Sequence, residues 1–371
     1  MVWKNLVLMI LGSAMVSDAV QAAEPITFQH TQKRDAEMFQ QPQVAVAGSE
    51  KTYVAFGGGK SIFCATSRDG GKTFAPPIRV ATLSSLMLGS RRGPRIAASG
   101  NNAVIVAIGD GGNLHAWRSA DAGQNWQGPT IVNDIPQAAR EGLHALAAGP
   151  EGELYCVWLD LRNDSPEVYG SRSSDGGQTW SNNQRIYHSP DGNVCECCHP
   201  SVTFDSEGTL YVMWRNWLDG RRDMYLSASK DGGRTFSPAK QLGRGNWRID
   251  HCPMDGGAVA VGRPGQIATI WRRENSILAT LPEKPNEVHL GQGEQPWTAA
   301  NTKGIWTTWI SHDGGELVLQ RLDQRRSEVV ARNANDPVLA ASLNGEGPIV
   351  LAWEEGPRKD RRIRVQVVSS N

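Results

Sequence analysis

The chain has 371 residues, with Lys plus Arg equal to Asp plus Glu at 38 each and a formal net charge of zero. No global field therefore favours a nucleic-acid or anionic-membrane partner. Forty Gly, 20 Pro and 13 Trp suit an all-β chain full of turns, and the length allows two domains unless a repeat runs end to end.

The first stretch reads as an address. Lys4 precedes the apolar run Leu6 to Val16, and Val20-Gln21-Ala22 offers small residues for cleavage. Residues 1–22 are expected to be a secretory signal peptide, too short and wrongly flanked for a membrane span. No Cys follows it, so no lipid anchor is expected. The remainder, 23–371, is expected to be one exported domain, periplasmic or secreted.

Next comes a recurring octet. Ser67, Asp69, Gly71, Thr73 and Phe74 set the pattern S-x-D-x-G-x-T-aromatic. Ser119, Asp121, Gly123, Asn125 and Trp126 repeat it, as do Ser173, Asp175, Gly177, Thr179 and Trp180, then Ser229, Asp231, Gly233, Thr235 and Phe236. The four Asp residues are 52, 54 and 56 positions apart, the mark of a repeat architecture. Asp can accept backbone N–H bonds and brace a tight turn, Gly supplies positive φ, and the aromatic is a large apolar anchor. Ser311-His312-Asp313-Gly314-Gly315 is a fragment of the same pattern.

Alternation and turn punctuation give seven units rather than four. Inner strands are expected to open at Pro42, Pro94, His144, Pro200, Gly257, Pro296 and Pro337, each followed by a second strand such as Leu154-Tyr-Cys-Val-Trp. The seventh unit supplies only three strands, ending at Ile363-Arg-Val-Gln-Val-Val, and Pro25-Ile-Thr-Phe-Gln is the candidate for its fourth. Such a join closes the ring and removes two exposed edges.

The octet resembles the Asp-box, or BNR repeat, of sialidases and sialidase-like β-propellers. That resemblance implies a closed all-β propeller, here with seven blades; sialidases have six, the alternative count. It also implies that Asp69, Asp121, Asp175 and Asp231 are structural, on hairpins away from the active site.

Two further stretches break the repeat: Cys195-Glu196-Cys197-Cys198-His199-Pro200 and, one unit later, His251-Cys252-Pro253-Met254-Asp255. Both precede an inner strand, so both belong on one rim, at the mouth of the central channel. Three chemistries fit. A disulfide could join Cys252 to Cys195, Cys197 or Cys198, as an exported chain allows. A soft metal, copper(I) before zinc, could take Cys195, Cys197, Cys198, His199, Cys252 and Met254 as ligands. Finally, Cys195-x-x-Cys198-His199 formally matches the attachment motif of c-type haem. Cys64 and Cys156 lie inside strand patterns and read as buried apolar residues.

Loops on the same rim carry Arg91, Arg92, Arg95, Asp160, Arg162, Arg215, Asn216, Trp217, Arg221, Arg222 and Asp255. Most would simply be solvated. Arg95, Arg162, Arg215 and Asp255 are the candidates for binding a small anionic ligand, because convergent Arg can grip a carboxylate bidentately. True sialidases use an Arg triad, a Tyr–Glu pair and an Asp. Their Arg-Ile-Pro signature precedes the first box, whereas Arg95-Ile96-Ala97 lacks the Pro and follows it. Arg95, Arg162 and Arg215 could form a triad with Tyr169 or Tyr225 as nucleophile, but no motif fixes them. The expected function is an exported binding or metal-handling module with its site in the Cys/His/Arg mouth. The alternatives are an exo-sialidase-type glycoside hydrolase and an assembly propeller, with a glycan or protein as partner.

Overall fold

A computed structural model describes residues 24–29, 38–109, 111–190, 193–282, 284–312, 315–323, 327–343, 345, 347–357 and 360–368. The expected signal peptide lies outside them, as do Asp313 and Gly314 of the box fragment. No helix in the described residues is long and apolar enough to cross a membrane.

Seven antiparallel sheets form a seven-bladed β-propeller. The inner strands are Phe39–Ala47, Arg95–Ser99, His144–Ala148, Ser201–Phe204, Ala258–Val261, Glu294–Asn301 and Ala334–Ala340. They follow one another around a central channel of about 190 Å³, and the last packs on the first. Ala97, Ala98, Ala147, Ala148, Ala299 and Ala300 line it, small side chains where seven strands converge.

The second strand of each blade is buried on both faces, which explains its continuous apolar run. In blade three, Leu154, Cys156 and Trp158 pack toward blade two, while Tyr155, Val157 and Leu159 pack toward blade four. Cys64 and Cys156 are part of these cores, and burial pushes both thiols far up.

The ring closes as expected. Ile26–Phe28 pairs antiparallel with Arg362–Val368, with Phe28 opposite Ile363, and becomes the fourth strand of blade seven. Phe28 is buried against Phe56 and Phe74, with ring centroids 5.7 and 5.6 Å away. One strand was not foreseen: Asn193–Val194 pairs with Leu210–Trp217 and adds a fifth strand to blade four.

The boxes are self-contained turns joining third and fourth strands. In the third copy Ser173 Oγ donates to Asp175 Oδ1 at 2.8 Å and accepts from the Gly177 N–H at 2.9 Å. The Thr179 N–H and hydroxyl donate to the two oxygens of Asp175 at 3.0 and 2.5 Å. Gly177 has φ +85°, and a Cβ there would sit 2.9 Å from Val104. The same bonding recurs at Asp69, Asp121 and Asp231. Thr73 and Ser67 donate to Asp69 and hold its carboxyl down at about 2. The closing Phe74, Trp126, Trp180 and Phe236 each pack into the interface with the preceding blade. Because strands alternate in direction, boxes lie on one face, and the loops leading into inner strands lie on the other.

Candidate functional site

The cysteine loop is built by its backbone. The Val194 N–H donates to the Pro166 carbonyl and the Cys195 N–H to the Arg215 carbonyl, both at 3.0 Å. Pro166 belongs to blade three and Arg215 to blade four, so the two bonds pin the loop between neighbouring blades and turn three side chains inward. The Cys195, Cys197 and Cys198 sulfurs lie 3.5, 3.6 and 3.9 Å apart and are 0, 5 and 1 % exposed. Cys252, half-buried, packs against the trio and donates from Sγ to Glu196 Oε1 at 3.5 Å. Arg222 is buried, stacks on Trp217 at 4.9 Å and donates from Nη1 to Cys195 Sγ at 3.0 Å. Hydrogen bonds from Cys197 and Cys198, with the charges of Arg215 and Arg222, hold the Cys195 thiol well below its usual range despite burial. Burial and the Cys195 anion push Cys198 the other way.

All six cysteines are free. Sulfurs at 3.5 Å and beyond are far outside the ~2.05 Å of a disulfide. They are, however, close to what an ion requires: a metal–sulfur bond near ~2.3 Å sets tetrahedral ligand sulfurs about 3.8 Å apart. His199 stands apart from the trio. Its buried ring stacks on Trp297 at 5.7 Å, and a Cβ on Gly256 would come within 2.7 Å of it. Burial and the charges of Arg91, Arg95 and Arg215 keep it neutral. The trio that converges contains no imidazole.

The three arginines proposed as a triad are each occupied. Arg95 is buried and donates to the carbonyls of His144, Gly93 and Arg91; burial lowers it to about 9. Arg215, also buried, donates to the carbonyls of Asp255, Arg222 and Arg272 and stacks on Trp247 at 4.9 Å. Arg162 forms a bidentate pair with Asp160 at 2.8 and 2.9 Å and lies over Tyr169 at 4.1 Å. Tyr225 stacks with Tyr187 and Trp214. These contacts stitch hairpins and blades together.

A second site lies at the same mouth; the sequence pointed to its Arg91 and Asp255 but not to Arg272, Glu294, Asp336 or Arg361. A cavity of about 260 Å³ is lined by Arg91, Asp255, Arg272, Glu294, Asp336 and Arg361. Asp255 is 2 % exposed; its Oδ2 accepts from the Gln295 N–H at 2.8 Å, while Oδ1 has no hydrogen-bond partner among the described residues. Burial raises its carboxyl above the usual range. Arg91 crosses the mouth to the Pro337 and Gln295 carbonyls and pairs with Asp336 at 3.3 Å. Buried beside Asp336, Glu354 accepts from the Gln41 N–H and pairs with Arg361, both at 2.6 Å. Burial and the Asp336 carboxylate push Glu354 up to about 7.

A sequence signal for this rim exists. Three inner strands begin before the proline expected to open them, and Gln41, Gln295 and Asp336 each directly precede that proline at a bulge in the strand pairing, with φ values of +56°, +56° and +46°. Left-handed backbone at such residues costs roughly 1–3 kcal/mol each. Each strained N–H is capped by a side chain from the mouth: Gln41 by Glu354, Gln295 by Asp255, Asp336 by Gln295.

Fold and boxes together define a BNR-repeat β-propeller of sialidase-like architecture. The BNR repeat-like domain family matches residues 111–262. No curated protein matches the sequence. Among solved structures, the chain is similar to an ulvan lyase of a polysaccharide lyase family (TM-score 0.59, 13 % identity, 93 % of this chain and 96 % of that one). It is also similar to the intramolecular trans-sialidase of Ruminococcus gnavus (0.55, 13 %, 93 % and 97 %). A third likeness is to an α-L-arabinofuranosidase from Fusarium graminearum (0.51, 12 %, 74 % and 92 %).

Proposed function

We propose that this propeller is an exported soft-metal module whose ion, copper(I) before zinc, is held by Cys195, Cys197 and Cys198. The observation that carries the reading is the trio of buried sulfurs 3.5–3.9 Å apart. Thiolates select soft ions, and a zinc site would require a fourth ligand, for which Cys252 is the nearest candidate. The neighbouring guanidinium of Arg222 offsets part of the thiolate charge that a buried ion would leave. Protein purified under reducing, anaerobic conditions and given copper(I) should hold one ion per chain. Cys198→Ser should weaken that binding while leaving the fold intact by circular dichroism. Wild-type protein that retains no copper(I) contradicts the reading.

A second reading rests on the mouth cavity. Its mixed lining of Arg91, Arg272 and Arg361 with Asp255, Glu294 and Asp336 suits a sugar unit, and the three similar structures are an arabinofuranosidase, a trans-sialidase and a polysaccharide lyase. Turnover of a fluorogenic sialoside, a uronic-acid polysaccharide or an arabinoside, lost in Asp255→Asn, would favour it. An inert wild type on all three removes it.

A further inference from the structure

The buried trio has limited access. Cys195, Cys197 and Cys198 are all but sealed, and the sulfur packed on them with partial exposure is Cys252. Two residues further on, Met254 is 37 % exposed, flanked by Pro253 and Asp255, which are buried. Those buried neighbours anchor the segment and leave the thioether displayed. Met254 also has φ +53°, left-handed backbone that a bulky residue adopts only when its surroundings impose it. Met254 and Pro253 form part of the wall of the 260 Å³ mouth cavity, so one segment borders the open mouth at Met254 and the buried trio at Cys252.

Resting on the metal reading above, we propose that Met254 and Cys252 are the access ligands through which copper(I) passes from the mouth cavity to the trio. The donor is a carrier or small molecule that itself holds copper(I) through soft ligands. The transfer is a ligand exchange. A copper–donor bond breaks as the Met254 thioether binds, the Cys252 sulfur then replaces the thioether, and the trio replaces Cys252. Copper stays in the +1 state throughout; Cys252 gives up its proton on binding and takes one back when the trio displaces it, and each protonated thiol of the trio releases its own to solvent. A neutral thioether suits the first step, because it binds a soft ion without a proton to lose and lets it go readily.

The test follows copper(I) transfer from its bicinchoninate complex to the reduced full chain by stopped-flow absorbance, with final stoichiometry measured on the same samples. Met254→Leu keeps size and apolar character, so it should fold normally. It should slow transfer several-fold and leave one ion per chain at equilibrium. Cys252→Ser should slow it further with the same end point. Met254→Leu transferring at the wild-type rate overturns the proposal, as does a variant that loses stoichiometry in step with rate, which would make the residue a permanent ligand. A wild type that takes up no copper(I) is a separate result, and it removes the metal reading itself.

Discussion

Glu354 offers a prediction that can be worked through from its surroundings. It is fully buried, with Gln41, Asp336 and Arg361 as neighbours, and its carboxyl is raised from 4.5 to about 7, chiefly by burial. A carboxyl raised on folding contributes stability in its protonated state, below the unfolded value, and that contribution is lost as pH rises through the folded value. The gap of about 2.5 pH units, at ~1.36 kcal/mol each, gives a loss on the order of 3 kcal/mol between about pH 4.5 and 7. Glu354→Gln keeps an oxygen to accept the Gln41 N–H but cannot ionise, so position 354 contributes no pH dependence to the variant. Urea unfolding of wild type and variant from about pH 5 to 8 should therefore show the stability gap shifting in favour of the variant as pH rises. A gap that stays flat across that range refutes the reasoning.

Three further outcomes follow from the packing. Asp175→Ala removes the acceptor for the Thr179 and Gln178 N–H groups, which are exposed and can turn to water, and should cost about 0.5–1.5 kcal/mol in denaturant unfolding without changing copper content. An Asp175→Ala protein of unchanged stability with lost binding would make the box functional. Phe28→Ala, at the closing strand, should cost about 3–5 kcal/mol, and a negligible loss would mean the closure is not held by this contact. Arg215→Met strands the buried carbonyls of Asp255, Arg222 and Arg272 and should lower the melting temperature. A stable variant impaired only in ligand binding would restore Arg215 as a substrate residue.

The fold was legible because its signals are local. Each box spells out its own turn, β-rich runs recur in every unit, and five of the seven units carry a proline at the inner strand (Pro42, Pro94, Pro200, Pro296 and Pro337). Even the closing strand follows from counting three strands in the last unit. The site was legible only in part. Clustered Cys residues announced chemistry, but their convergence depends on Asn193–Val194 pairing with Leu210–Trp217, a two-residue strand too short to show in a pattern. His199 follows Cys198 in sequence yet points elsewhere, because the chain is already turning into the inner strand and its ring goes to Trp297. Arg95 and Arg215 occupy positions that alternation can aim at the channel, but backbone carbonyls of neighbouring loops claim their guanidinium groups, and carbonyls leave no mark in a sequence. Glu294, Asp336 and Glu354 come together from three different strands with no shared motif; the residues before Pro42, Pro296 and Pro337 are the nearest hint.

The most direct measurement is X-ray absorption at the copper edge on anaerobic, reduced protein loaded with one equivalent of copper(I). The thiol trio predicts a shell of three or more sulfur atoms around the ion, reduced in number by Cys195→Ser. A shell of nitrogen and oxygen alone, or a sulfur shell untouched by that substitution, contradicts a metal site at Cys195, Cys197 and Cys198.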